Sequence, residues 1–153
     1  MAKHYDIGHV IKSELQLTAD EIISGAEFVG DKNPIHHNAD HNNKKIKGLI
    51  ASGSYVTAIF SSLIPSHFSK TNAIVGMEMS FKFIAPIRPN VKYNMQWTLI
   101  AKNWNEKLGG YIFELDGLIE TPTRDLALTS RATILVSPDI NIELKYKKPP
   151  IHR

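Results

Sequence analysis

Cysteine is absent from the 153 residues, which removes disulfides, cysteine–zinc sites and thiolate nucleophiles from consideration. No stretch approaches the ~20 consecutive apolar residues that a membrane helix needs. The N-terminal MAKHYDIGHVIKSELQLT lacks the unbroken apolar segment of a secretory signal, so a soluble, cytoplasmic protein with no membrane partner is expected. Internal repeats, low-complexity tracts and linkers are missing before residue 145. A basic face is missing too. The formal charge is +3, but Lys145, Lys147, Lys148 and Arg153 sit in the last nine residues, KYKKPPIHR, without an acid. Removing those four charges turns +3 into −1 for the remainder, so no nucleic-acid partner is expected. Such a Lys/Pro-rich end reads as a solvated terminus.

What is present is ordinary for a globular chain, with 42% hydrophobic and 22% charged residues, 9 Gly and 8 Pro. That balance excludes collagen-like, coiled-coil and disordered classes. A domain of this size can bury about 68–70% of its unfolded surface, so it needs no metal or disulfide staple. One domain over 1–144 followed by a basic tail over 145–153 is the economical division.

The first half of the chain reads as helix and loop, the second as strand. Thr18-Ala19-Asp20-Glu21 fits a capping box, and Ile22, Ile23, Ala26 and Val29 follow at helical spacing. Gly30 is the expected stop. In GLIASGSYVTAIFSSLIP, from Gly48 to Pro65, a helix over about Ser52 to Ile64 is apolar on most sides, with Val56, Ile59, Phe60 and Leu63 at core spacing. Such a helix belongs in the middle of a domain. Beyond it, Ala73, Val75, Met77, Met79, Phe81 and Phe83 alternate with Gly76, Glu78, Ser80 and Lys82. The alternation continues through Val91 to Ala101, Tyr111 to Ile119, and Leu126 to Val136, with turn signals at Pro89-Asn90, Gly109-Gly110 and Thr121 to Asp125. Period two over long stretches predicts antiparallel strands covered on one face. The met requirements of both halves predict an α+β class, a bent antiparallel sheet wrapped around a central helix.

Chemistry concentrates in FVGDKNPIHH, Phe28 to His37. Asp31 and His36 flank Asn33-Pro34, a loop stiff enough to hold both side chains. A carboxylate and a neutral imidazole can bind and polarise one water, the carboxylate accepting a proton while the imidazole orients or donates. The plain alternative is an Asx-turn at Asp31 with His36 as filler. His36, His37, Asp40 and His41 match no strong zinc spacing, so no metal site is expected. Met77, Met79 and the aromatic stripes read as sheet core, not a cofactor box.

Gly30-Asp31-Lys32-Asn33-Pro34-Ile35-His36 resembles the Gly-Asp-x-Asn-Pro-x-His signature of the MaoC-like dehydratase family, which includes the (R)-specific enoyl-CoA hydratases of hot-dog fold. The resemblance extends from about Ile7 to Val136, taking Gly48 to Pro65 as the central helix and Phe83-Ile84-Ala85-Pro86-Ile87 as the Phe-x-x-Pro-Val segment. It departs at Ser52, where histidine is usual, at Pro89-Asn90-Val91, which replaces a Gly-Asp turn, and at Asn38, in place of an acid. It implies hydration of a trans-2-enoyl-CoA to an (R)-3-hydroxyacyl-CoA in fatty acid metabolism, by a lyase that needs no cofactor besides the CoA of its substrate. Asp31 and His36 match the catalytic pair, Asn33 the loop support, and Gly53 the glycine whose N–H meets the thioester oxygen. Ser52, expected to be the N-cap, and Ser61 complete the substrate-binding set, though the Ser61 hydroxyl could equally bond a carbonyl one turn back. A homodimer is implied. Alternatives are a dehydratase acting on acyl carrier protein, or a hot-dog module that binds acyl thioesters without turnover.

Overall fold

The computed structural model describes residues 4–40 and 45–138. The tail over 145–153, the division at 144, and His41 therefore lie outside the described residues. The alternating segments form strands β2 (Ala73–Phe83), β3 (Tyr93–Asn105), β4 (Gly110–Glu120) and β5 (Leu126–Ser137), joined by an earlier strand β1 (Val10–Leu15). All neighbours pair antiparallel in one sheet of order β1-β3-β4-β5-β2. With helices α1 (Ala19–Val29) and α2 (Gly53–Phe68) the class is α+β. No helix among the described residues is long and apolar enough to cross a membrane.

Local signals set both ends of α1. Thr18 Oγ1 accepts the Glu21 N–H at 3.1 Å, and Glu21 Oε2 accepts the Thr18 N–H at 2.8 Å. Gly30 closes the helix at φ 75°, a left-handed conformation that costs glycine no Cβ clash. In α2, Val56, Phe60, Ile64 and Phe68 recur at every fourth position and are buried. They face Leu99, Phe113, Leu115, Ile119, Leu128 and Ile134 of the sheet. Phe60 stacks on Trp97 with ring centroids 4.4 Å apart, and Trp97 Nε1 donates to the Phe60 carbonyl at 3.0 Å. Each such burial stabilises by about 1.5–3 kcal/mol.

Four features differ from the sequence expectation. The first half contributes β1, a six-residue strand whose Ile11 and Leu15 pair with Trp97 and Tyr93 of β3. A stretch this short carries little periodicity, and pairing decides it. In β2, Gly76 pairs with Ile134 and Glu78 with Thr133, leaving Met77 as an extra residue, 51% exposed. The bulge reverses the alternation, so Ile74 packs on the core before it, and Met79 and Phe81 after it. Leu126 is likewise exposed, at the start of β5. Finally, α2 runs past Pro65 to Phe68, which is wholly buried between Tyr5 and Phe113 at centroid distances of 4.7 and 5.5 Å. Burying that ring offsets the backbone hydrogen bond proline forgoes.

Three contacts bring the reactive loop to the start of α2. At Gly25 of α1 an added Cβ would stand 2.3 Å from the Tyr55 ring, so glycine permits the helices to meet. The Ile50 N–H donates to the Ile35 carbonyl at 3.2 Å, and the Ala51 N–H to the Ile87 carbonyl at 2.8 Å. The loop, the α2 entry and the segment after β2 are thus joined through their backbones.

Candidate active site

Asp31 follows the left-handed Gly30 directly, and its own N–H still bonds the Ala26 carbonyl of α1 at 2.9 Å. Its two carboxylate oxygens do different work. Oδ1 accepts the Asn33 N–H at 3.0 Å, making the Asx-turn. Oδ2 accepts the Ser52 hydroxyl at 2.6 Å and lies 3.3 Å from His36 Nε2. Turn-forming and site-forming readings of Asp31 are therefore both satisfied, one by each oxygen. Asn33 Oδ1 takes the Ile35 N–H at 3.5 Å at the head of a 3₁₀ turn, Pro34–His36.

His36 is buried, 6% exposed, and its Nδ1 stands 2.8 Å from the Ile50 carbonyl. A carbonyl oxygen only accepts, so Nδ1 carries the hydrogen and, in the neutral ring, Nε2 keeps its lone pair. A carboxylate oxygen and a lone-pair nitrogen thus stand side by side. The Ser52 hydroxyl first, and the Asn33 N–H second, hold the Asp31 carboxyl below the ordinary aspartate range. The adjacent His37 turns away, its Nε2 2.6 Å from the Asp31 carbonyl. No group of three potential metal ligands occurs among the described residues.

His36 forms part of the wall of a cleft of about 420 Å³. The cleft is mainly apolar, with Ile50, Val56, Phe83, Ile87 and Leu128 among its lining, and its charged lining residues are Lys45 and Arg88. Gly53, the first residue of α2, also lines it. The first N–H groups of a helix have no intrahelical partner and carry the positive end of its dipole, so this wall suits developing negative charge.

No sequence-family model matches the chain, nor does any curated protein. Solved structures do. An (R)-hydratase from A. caviae involved in PHA biosynthesis superposes at TM-score 0.72 and 19% identity, covering 86% of this chain and 97% of its own. A MaoC-like dehydratase from Rhodospirillum rubrum gives 0.75 and 19%, covering 88% and 94%. The truncated HadBC complex from Mycobacterium tuberculosis, a 3R-hydroxyacyl-ACP dehydratase, gives 0.69 and 17%, covering 86% and 98%. This chain has the hot-dog fold.

Within the hot-dog frame, Asp31, His36 and Ser52 come together, with Asn33 supporting their loop; of the residues singled out in the sequence, His36 and Gly53 line the cleft, while Asp31, Asn33 and Ser52 stand behind its wall. Ser61 does not join them. It lies two turns further along α2, bonds the Ala58 carbonyl at 3.3 Å, and borders a different cleft with Ile74, Gly76 and Met79. Ser52 departs from expectation in another way. It occupies the N-cap position but makes no capping bond with its side chain, whose hydroxyl is turned toward Asp31 and donates to it. Two contributors escaped the sequence reading. The Ile50 carbonyl, which sets the His36 tautomer, has no side-chain signature. Phe83 stands over Gly53, two ring atoms 2.9 Å from where a Cβ would be, although it was read as sheet core.

Proposed function

We propose that this hot-dog chain adds water across the double bond of a trans-2-enoyl thioester, giving an (R)-3-hydroxyacyl thioester. The observation that carries the reading is the Asp31 carboxylate 3.3 Å from His36 Nε2, with the His36 ring lining an apolar cleft that also holds the N-terminus of α2. Two adjacent acceptors can take both hydrogens of one water, leaving its oxygen free to attack C3. His36 Nε2 then takes one of those protons as the C3–O bond forms. The π pair of C2=C3 shifts toward the thioester oxygen, where the Gly53 N–H donates to the growing charge. The proton on Nε2 passes to C2, the enolate collapses, and the neutral ring is restored. Asp31 holds the water and offsets the transient imidazolium charge, so its role and that of His36 are the reverse of the sequence expectation. The addition is redox-neutral and calls for no cofactor. The same steps run backwards dehydrate a 3-hydroxyacyl thioester.

The lining cations Lys45 and Arg88 favour CoA, whose phosphates are anionic, as the carrier. The likeness to a 3R-hydroxyacyl-ACP dehydratase supports acyl carrier protein as the alternative. Loss of enoyl absorbance with crotonyl-CoA and longer CoA esters tests the function, and the same acyl group on a carrier protein tests the carrier. The expected product is the (R) alcohol, formed equally well with a chelator present. An (S) product, or no turnover at any length, sinks the reading, and the absence of turnover leaves the non-catalytic module as its replacement.

A homodimer belongs to the same proposal. β2 is a sheet edge, and its exposed Met77 and Phe83 would be covered by a second copy. Phe83 also lines the cleft, so pairing there would set the partner beside the acyl site. Sedimentation should give a dimer at micromolar concentration, and a monomer would refute it.

A further inference from the structure

We infer that Ser52 is a positioning residue for the reaction, its hydroxyl diverted from helix capping to hold the Asp31 carboxylate against His36. The inference rests on the function proposed above. Three observations support it. Ser52 has the extended backbone of an N-cap, φ −60° and ψ 130°, yet no capping bond from its side chain. A serine there normally accepts an N–H of the first helical turn. Here it donates instead, at 2.6 Å, to a side chain 21 residues earlier. And it is wholly buried, so no bulk water competes for the hydroxyl.

The diversion has two chemical consequences. Asp31 Oδ1 is already tied to the Asn33 N–H, and the Ser52 bond to Oδ2 fixes the second oxygen, so the carboxylate cannot rotate away from His36. The first amides of α2 are also left without the serine oxygen that would otherwise occupy one of them, which keeps that helix end open toward the cleft. Of the titratable groups acting on Asp31, His36 and His37 both come from its own loop, and α2 contributes the uncharged Ser52. Removing the hydroxyl should therefore raise the Asp31 titration, since a hydrogen bond to the ionised form favours that form. The sign is fixed by that cause: Asp31 in the variant protonates at a higher pH than in the parent.

Ser52→Ala in the full chain provides the test, read in two ways. The carboxyl carbon resonance of Asp31, followed by NMR, should titrate at higher pH than in the parent, and needs no activity to be measured. In turnover, kcat should fall ~10–10²-fold with KM little changed, as a misplaced reacting group does, and the acid limb of kcat/KM should move upward. The variant should fold but melt somewhat below the parent at neutral pH, because the bond to the ionised carboxylate is lost. Ser52→Thr, which keeps a hydroxyl, should recover the parent titration. An Asp31 titration unmoved in folded Ser52→Ala overturns the inference, whatever the activity. If Ser52→Ala fails to fold, Ser52→Cys, a weaker donor of similar size, must shift Asp31 upward or the inference falls. A parent that hydrates no enoyl thioester defeats the proposed function instead, while the NMR titration still reports on the Ser52 bond.

Discussion

Asp31→Asn and His36→Asn should each lower the turnover of a trans-2-enoyl-CoA by ~10²–10⁴-fold, the usual contribution of a positioned acid or base. The substitutions are chosen so that the surrounding bonds survive. Asparagine at 31 still offers an oxygen to the Asn33 N–H, and its NH₂ takes the place of Oδ2, where the Ser52 hydroxyl can turn to accept. That NH₂ also donates to His36 Nε2 and blocks the lone pair that must take a proton from water. Asparagine at 36 can keep the donor that Nδ1 presents to the Ile50 carbonyl while deleting Nε2. Alanine at 36 is the poorer probe, because His36 is buried and its removal leaves that carbonyl unpaired. Both asparagine variants should melt near the parent temperature with unchanged far-UV circular dichroism. Near-normal turnover in either one would show that the pair is not the catalytic pair.

Gly53→Pro should cost ~10²–10³-fold in turnover, the loss expected when one oxyanion donor is removed. Gly53 is the first helical residue, where proline is tolerated because its missing N–H has no intrahelical partner. The preceding Ser52, at ψ 130°, already has the extended backbone that a residue before proline requires. The helix should persist while the N–H proposed to meet the thioester oxygen disappears. Gly53→Ala is the control, since it keeps the N–H. Its methyl group meets the Phe83 ring at 2.9 Å, but that ring is 60% exposed and can swing outward. Proline places its Cβ in the same spot, so the disturbance of Phe83 is common to both variants and the difference reports the donor. The alanine variant should retain clearly more turnover at comparable thermal stability. Equal turnover in the two would mean that the oxygen is held by another group, with the Ser54 N–H the nearest candidate.

Some of this architecture is written locally in the chain. The capping box at Thr18 and Glu21 and the left-handed stop at Gly30 depend on atoms within a few residues of each other, so sequence spacing is enough to predict them. Alternation in β3 and β4 is likewise legible, because each inward position from Tyr93 to Leu99 and from Phe113 to Ile119 is repeated often enough to outweigh noise. The loop from Gly30 to His36 could be singled out by its Gly-Asp-x-Asn-Pro-x-His spelling, and the Asx-turn and 3₁₀ turn that shape it are made within itself.

Long-range contacts decided the rest. β1 is a strand because β3 offers it a register, and α2 outlasts Pro65 because Phe68 has a buried place between Tyr5 and Phe113. One extra residue at Met77 inverts the faces of β2, a change that no alternation count over the whole strand reveals. Ser61 has the right helix but the wrong cleft, since two turns of α2 carry it away from Gly53. The sequence by itself determined the class and the central helix, carried by periodicity, and singled out Asp31 and His36 through the resemblance of the Gly30 to His36 motif; the fold then brings those two side chains within 3.3 Å. Only the tertiary structure decided which imidazole nitrogen faces Asp31, through the Ile50 carbonyl, and where the Ser52 hydroxyl points, through a carboxylate 21 residues away. A hydrogen bond between distant segments has no period and no spacing, so it exists only once the backbone has brought its two ends together.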